Sequence, residues 1–290
     1  MLVTFLDVFI AGIMMGGIYA LVAIGLNIQW GVARVLNVSH SEFIMLGAFG
    51  SLFMYLIFGI SPLISLAIFS PAMFGIGILI HRFLFRRLIK ISESKLQYEV
   101  GSLLAAYGLM FVISNSATLA WGARQQAYSY LANTIDLFGA LFAANRLVAL
   151  GFSLGLSAVI YVLISRTRFG KALRATSIDI DTARLMGVDV YRVLAFSFGI
   201  GAMLACIAGA LISMMFTVST FMGLPYLVVA LIVVVLGGMG NILGSLAGGL
   251  ILGVVGSVVQ SIEPGLQMVA FYVIFMVMLL VRPTGIFGKK

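Results

Sequence analysis

Two short stretches of this 290-residue chain carry polar chemistry inside apolar sequence. The first holds Asn27, Gln29, Trp30, Gly31 and Arg34, then Asn37-Val38-Ser39-His40-Ser41-Glu42-Phe43. It sets a carboxamide, hydroxyls, an imidazole and a carboxylate just ahead of a strongly apolar run. His40 can donate a hydrogen bond, and Asn37 can offer a donor or an acceptor. A helix starting here would turn free N–H groups and a positive dipole end toward a bound carboxylate. Ionisable groups at membrane depth point to function. Ser39 and Glu42 also have capping-box spacing, which makes the same residues a plain helix start. Both readings stay open: Asn37, His40 and Glu42 line a pathway, or they cap a helix.

The second stretch is Gly237-Gly238-Met239-Gly240-Asn241. Three glycines in four residues break a helix. The apolar piece before it, Leu224 to Leu236, spans only about 20 Å as a helix. A short, glycine-interrupted apolar segment is the mark of a half-helix at a transport site. Elsewhere glycine recurs at four-residue spacing: Gly240, Gly244 and Gly248 on one ridge, Gly249 and Gly253 on the next. Such ridges let helix backbones approach closely.

Other chemistry is missing. There is no G-x-x-x-x-G-K-[ST], so the chain has no phosphate loop for ATP. The only histidines are His40 and His81, and no H-E-x-x-H occurs. One cysteine, Cys206, excludes an internal disulfide and a cysteine metal site. No Ser/His/Asp set and no chain of Asp, Glu and His through the apolar runs is present. The expectation is a non-enzyme with no metal and no cofactor of its own.

The elements that must position these residues follow from composition. The chain is 62% hydrophobic and 9% charged, against roughly 25% charged in soluble domains. It is a polytopic membrane protein. The net charge of +8 does not signal nucleic acid, because fourteen of the seventeen Lys and Arg residues fall in three clusters at the ends of apolar runs. That is the positive-inside pattern. The N-terminus lacks the basic start and cleavage site of a signal peptide, so it reads as the first span. Uncharged runs cover 8–33, 43–80 (broken at Ser61-Pro62), 100–123, 147–165, 193–262 and 264–281. At about 20 residues per crossing they hold eight or nine helices, some short or broken. Placing Arg82 to Lys95, Arg166 to Arg192 and Arg282 to Lys290 in the cytoplasm satisfies the parity of crossings. It puts 121–145 and Met1 outside and the C-terminus inside. The fold class is all-α polytopic membrane protein, one domain over 1–290.

The connection 166–192 holds six of the basic and three of the nine acidic residues. From Lys171 to Gly187 it suits one short amphipathic helix, with Ala175, Ile178 and Leu185 apolar and Gly187 as the stop. For a permease without its own motor, such a helix is a surface for a separate ATPase.

These residues resemble a known family. Arg166-Thr167-Arg168-Phe169-Gly170-Lys171-Ala172-Leu173-Arg174-Ala175, with Asp179, Ala183, Gly187-Val188-Asp189-Val190 and Phe198-Gly199-Ile200-Gly201-Ala202, is similar to permease subunits of branched-chain amino-acid ABC importers, the LivH/LivM family. So are Gly25-Leu26-Asn27, Gly31, Asn37, His40, Glu42 and Met45-Leu46-Gly47-Ala48. So are Val235-Leu236-Gly237-Gly238-Met239-Gly240-Asn241 and the tail Arg282-Pro283-Thr284-Gly285-Ile286-Phe287-Gly288-Lys289, with the LivH side nearer. The resemblance implies a bacterial inner-membrane importer of amino acids or another small polar solute. It implies a homologous second permease, two cytosolic ATPases that carry ATP and Mg, and a periplasmic binding protein. It makes Gly170, Arg174, Ala175, Asp179, Ala183 and Gly187 the ATPase-coupling set, and Asn37, His40, Glu42, Gly237, Gly238, Gly240 and Asn241 the substrate path. Ser41 departs from the family's usual Gly, and Asn241 from its usual Ser or Thr. Ser257 and Gln260 stand where an acidic residue is common. From a different class, an autonomous ion-coupled transporter or channel for a solute such as urea or an amide is the alternative.

Overall fold

The computed structural model describes residues 2–33, 36–137, 140–282 and 284–288. Met1, Arg34, Pro283, Lys289 and Lys290, all used in the sequence reading, lie outside the described residues. Backbone groups without water must pair within their own segment, and the apolar runs do so as helices. These are α1 (Leu2–Ala33), α2 (His40–Phe58), α3 (Pro62–Ile80), α4 (Arg86–Ile91), α5 (Lys95–Trp121), α6 (Ala144–Arg166), α7 (Arg168–Ile178), α8 (Ile180–Leu185), α9 (Val190–Ser213), α10 (Gly223–Gly237), α11 (Ile242–Ile262) and α12 (Gln267–Val281). A π-helical turn, His81–Phe85, joins α3 to α4 as one span. Among the described residues eight helices are long and apolar enough to cross a membrane, and α10 is a shorter ninth. The 43–80 run divides as expected. Gly59 ends α2 at φ +64°, and Ser61 accepts from Ile64 N at the start of α3, with Pro62 in the first turn.

Two local details differ from the sequence reading. The helix expected from Lys171 to Gly187 is two helices, α7 and α8. Asp179 breaks it: its backbone is extended (φ −150°) and its Oδ1 accepts from Asp181 N at 3.0 Å, capping α8. Gly187 does end the unit, at φ +82°. The 121–145 connection carries a small antiparallel hairpin, β1 (Thr134–Leu137) and β2 (Ala140–Ala143), with Asp136 opposite Leu141.

The centre of the protein is α1, packed against α6, α9, α10 and α11. Its closest neighbour is α11, where backbones touch. A Cβ on Gly12 would lie 2.6 Å from Val254 Cα, and one on Gly253 would lie 2.4 Å from Gly16 Cα. The two glycine ridges of α11 serve different partners. Gly249 and Gly253 face α1, whereas Gly244 and Gly248 face Gly237 and Val233 of α10. A second backbone contact joins α2 to α9. There a Cβ on Gly47 would lie 2.0 Å from Cys206 O, and one on Gly209 would lie 1.8 Å from Ile44 O. Cys206 is fully buried in this seam, a packing residue as expected.

The helix ends gather at two poles. Asn145 Nδ2 donates to Met214 O at 2.7 Å, Gln126 and Val218 exchange backbone hydrogen bonds, and Ser257 Oγ donates to Val8 O at 2.7 Å. The 121–145 connection, the end of α9, the end of α11 and the start of α1 therefore share one pole. The opposite pole holds the end of α1, α7, α8, the α10–α11 junction and the tail. We call it the basic pole. This sorting agrees with the parity of crossings read from the charges.

Candidate functional site

The first polar stretch folds back along α1. His40 Nε2 lies 3.2 Å from Val22 O, near the middle of the Leu6–Ala33 span. Gly25 leaves room for the imidazole: a Cβ there would sit 3.1 Å from His40 Cε1. The chain thus leaves α1 at the basic pole and turns back, and α2 starts at mid-span depth. Asn37, Ser39, His40 and Ser41 are wholly buried, and Glu42 is 6% exposed. A hydrogen-bonded chain holds the return in place. Asn37 Nδ2 donates to Gln29 Oε1 at 3.0 Å, Gln29 Nε2 donates to Phe198 O of α9 at 3.0 Å, and Ser39 Oγ donates to Asn37 Oδ1 at 2.6 Å. The capping box is not made, because the Ser39 hydroxyl is turned to Asn37 and gives no cap bond. The N–H groups of His40, Ser41 and Glu42 are not free for a ligand either. They donate to Asn37, Val38 and Ser39 carbonyls at 3.2, 3.3 and 3.0 Å. Asn37 is therefore framework. His40 Nδ1 and Glu42 Oε2 are buried with no hydrogen-bond partner.

The second stretch is broken as the glycines require. Gly238 and Gly240 stand at φ +94° and +79°, a region that costs side-chain-bearing residues energy. Asn27 of α1 clamps the break. Its Nδ2 donates to Ser245 Oγ at 2.7 Å and Asn241 O at 3.1 Å, with Gly238 O at 3.4 Å, and its Oδ1 accepts from Gly240 N at 2.7 Å. Asn241 caps α11 by accepting from Gly244 N at 3.0 Å, a role that Ser or Thr also fills. The tail seals the outer side: Ile286 N donates to Leu236 O at 2.8 Å, and Asn241 Nδ2 donates to Phe287 O at 3.0 Å.

The two predicted path sets do not form one cluster. Asn27 and Gln29, two residues apart, project about 200° from each other around α1. One holds the α10–α11 break and the other the return into α2. What meets the start of α2 is the far end of α10: a Cβ on Gly223 would lie 2.0 Å from Ser41 O. Close by in sequence, Thr220 is 1% exposed and its hydroxyl has no partner. Sequence reading passed over Gly223 and Thr220. The signal was Gly223-Leu224-Pro225, a glycine and a proline in the first turn of an apolar run.

The coupling set divides as well. Gly170 lies against α6, where a Cβ would sit 2.0 Å from Ile164 O, and Arg174 Nη1 donates to that same carbonyl. Ala183 is buried. These residues hold α7 and α8 in place. Tyr191 helps: the guanidinium groups of Arg86 and Arg184 both lie over its ring, 4.8 and 5.1 Å from the centroid. Ala175, Asp179 and Gly187 face out. So do Ile178, Leu185 and Met186, at 79, 87 and 80% exposure. These large apolar side chains stand exposed on a charged loop. A cavity of about 480 Å³ joins this loop to the break, lined by Asn27, Gly31, Tyr161, Arg174, Asn241 and Phe287 among others.

A family model described as the permease component of the branched-chain amino acid transport system matches residues 8–281. The chain belongs to this family. Among similar proteins, the LivH permease protein of a high-affinity branched-chain amino acid transport system from Salmonella typhimurium is 30% identical, covering 98% of this chain and 96% of its own. BraD of Pseudomonas aeruginosa, with the same description, is 28% identical over the same shares. A solved structure, PsaBC from Streptococcus pneumoniae in complex with Fab, matches with a TM-score of 0.51 at 12% identity, over 96% of this chain and 91% of that one. It supports the fold of the permease. The all-α polytopic architecture read from composition holds, and the family resemblance is confirmed.

Proposed function

We propose that this permease is the membrane-spanning subunit through which an ATP-driven importer passes a branched-chain or other amino acid into the cytoplasm. The observation that carries the reading is at the basic pole. Exposed Ile178 ends α7, which shares a cavity with the α10–α11 break, and exposed Leu185 and Met186 stand at the end of α8 beyond it. A motor docked on that surface would act on the break directly. The chain has no phosphate loop of its own, so ATP and Mg belong to two cytosolic ABC ATPases. A second homologous permease and a periplasmic binding protein complete the assembly. The basic pole faces the cytoplasm of a bacterial inner membrane, with the C-terminus there. The whole chain acts as one permease domain, without a cofactor and without catalysing a reaction. Asn37, Gly237, Gly238, Gly240 and Asn241 frame the path, and His40 and Glu42 face it. Relatives described as branched-chain amino acid permeases support the substrate.

The test is reconstitution in liposomes with the partner subunits. Leucine uptake should require the ATPases, the binding protein and ATP. Uptake by the permease alone, driven by an ion gradient, would overturn the reading.

A further inference from the structure

Among the described residues Glu42 is the only Asp, Glu, Lys or Arg that is buried. Its two oxygens are treated differently. Oε1 lies 3.1 Å from Ser41 Oγ, which also lies 3.0 Å from Val38 O and has a single proton to share between them. Oε2 has no partner. The ion pairs Arg184–Asp181 and Arg192–Asp189 lie far along the chain at the basic pole. Glu42 sits in the first turn of α2, where the helix dipole offsets part of the cost of its charge. The remainder is the cost of a desolvated carboxylate, which a cation relieves.

The surroundings want the opposite charge. Gly223 brings the start of α10 against Ser41 O. That start has Met222 at its N-cap and no side-chain acceptor for its first turn. Thr220, just before it, holds a buried hydroxyl with nothing to bond. On one side the buried Glu42 Oε2 has no partner, and on the other the Thr220 hydroxyl and the uncapped start of α10 have no side-chain acceptor. A zwitterion supplies both. We propose that the seam where α2 and α10 begin recognises the charged end of an amino acid, Glu42 taking the ammonium and Thr220 with the first turn of α10 taking the carboxylate. The proposal rests on the amino-acid transport reading above. It also gives Ser41 a role, since its hydroxyl steadies the carboxylate that a glycine there would leave unsupported.

The experiment compares wild type, Glu42→Gln, Glu42→Asp and Thr220→Val in the full reconstituted importer. Leucine uptake, co-purification of all subunits and basal ATP hydrolysis are measured together. Removing one charge-assisted contact should lower uptake by about ten- to a hundredfold in Glu42→Gln, with assembly and basal hydrolysis retained. Glu42→Asp, which keeps the charge, should recover part of that loss. Thr220→Val should lose about tenfold or less, because a neutral hydroxyl is the weaker partner. Uptake by Glu42→Gln within twofold of wild type overturns the proposal. So does loss of the second permease from Glu42→Gln preparations, which would mean that the carboxylate pairs across a subunit interface. If Glu42→Gln does not fold, a Glu42→Asp variant with wild-type uptake at every leucine concentration overturns it instead. Wild-type vesicles that take up no amino acid would fail the transport reading itself, a result separable from the others.

Discussion

Replacing Asn27 by Leu keeps the side chain's size and removes every polar contact that Asn27 makes at the break. Three good hydrogen bonds go: to Ser245 Oγ, to Asn241 O and from Gly240 N, at 2.7, 3.1 and 2.7 Å. At the roughly 0.6 kcal/mol average for bonds between membrane helices they sum to about 2 kcal/mol. Asn241 O keeps other donors: Ser245 N still donates to it, as does Ser245 Oγ at 3.2 Å. The N–H of Gly240 has only Asn27, and orphaning it adds about 1–3 kcal/mol. The sum is about 4 kcal/mol. For a chain of this size that lowers the melting temperature by about 10 °C. The assay is thermal unfolding of the detergent-purified permease, with amide exchange at Gly240 as a local readout. Ser245→Ala is the control: it removes one of these bonds and should cost about 1 kcal/mol, or a few degrees. If Asn27→Leu melts within 2 °C of the parent (roughly the size of one such bond), or Gly240 exchanges at its original rate, the clamp is not what holds the break. If Ser245→Ala costs as much as Asn27→Leu, the orphaned N–H is not the larger part.

Gly209→Ala should unseat α2 from α9, since the new Cβ would lie 1.8 Å from Ile44 O, whereas Gly75→Ala meets nothing within 4 Å. The first should cost more than about 3 kcal/mol and the second less than about 0.5, read as yield of monodisperse protein; equal yields would contradict the close packing. Leu185→Asp with Met186→Asp should leave a monodisperse permease that no longer retains its ATPases on co-purification, and full retention would remove this surface from the interface. Deleting residues 284–290 should remove the bonds from Ile286 N and to Phe287 O, lower the melting temperature by about 5 °C and speed amide exchange at Gly238; unchanged exchange would show that the tail does not brace the break.

Much of the architecture was legible because lipid leaves the backbone few choices. Run lengths gave the helix count, and charge clusters gave the sorting of poles. The break at Gly238 and Gly240 was legible because a positive φ leaves a compositional mark. The roles of individual polar residues were not. Ser39 and Glu42 have the spacing of a capping box, but Ser39 turns to Asn37 because Gln29, on a different helix, fixes Asn37 first. Asp179 reads as one more polar position on a helix face, yet it is the residue that ends one helix and caps the next. Gly170 and Ala183 look like members of a docking surface and are buried under it. In each case the deciding partner lies outside the local pattern.

That partner is repeatedly α1, and its geometry constrains how the two polar stretches relate. Asn27 binds the α10–α11 break on one side, and Gln29 binds the return into α2 and the carbonyl of Phe198 on the other. Both belong to the same turn of a helix whose middle is packed backbone to backbone against α11. A helix turn is stiff on the scale of a hydrogen bond. Displacing the break while Asn27 keeps its contacts therefore displaces Gln29, and with it Asn37 and the start of α2. The seam at Ser41 and Gly223 is reached a second way, through α10 itself, whose two ends touch the break and the seam. Two rigid connections of unequal length between the same two places cannot both stay fixed when the break moves. At the start of α2 Glu42 Oε2, and three residues before Gly223 the Thr220 hydroxyl, have no hydrogen-bond partner, so neither side chain resists such a movement.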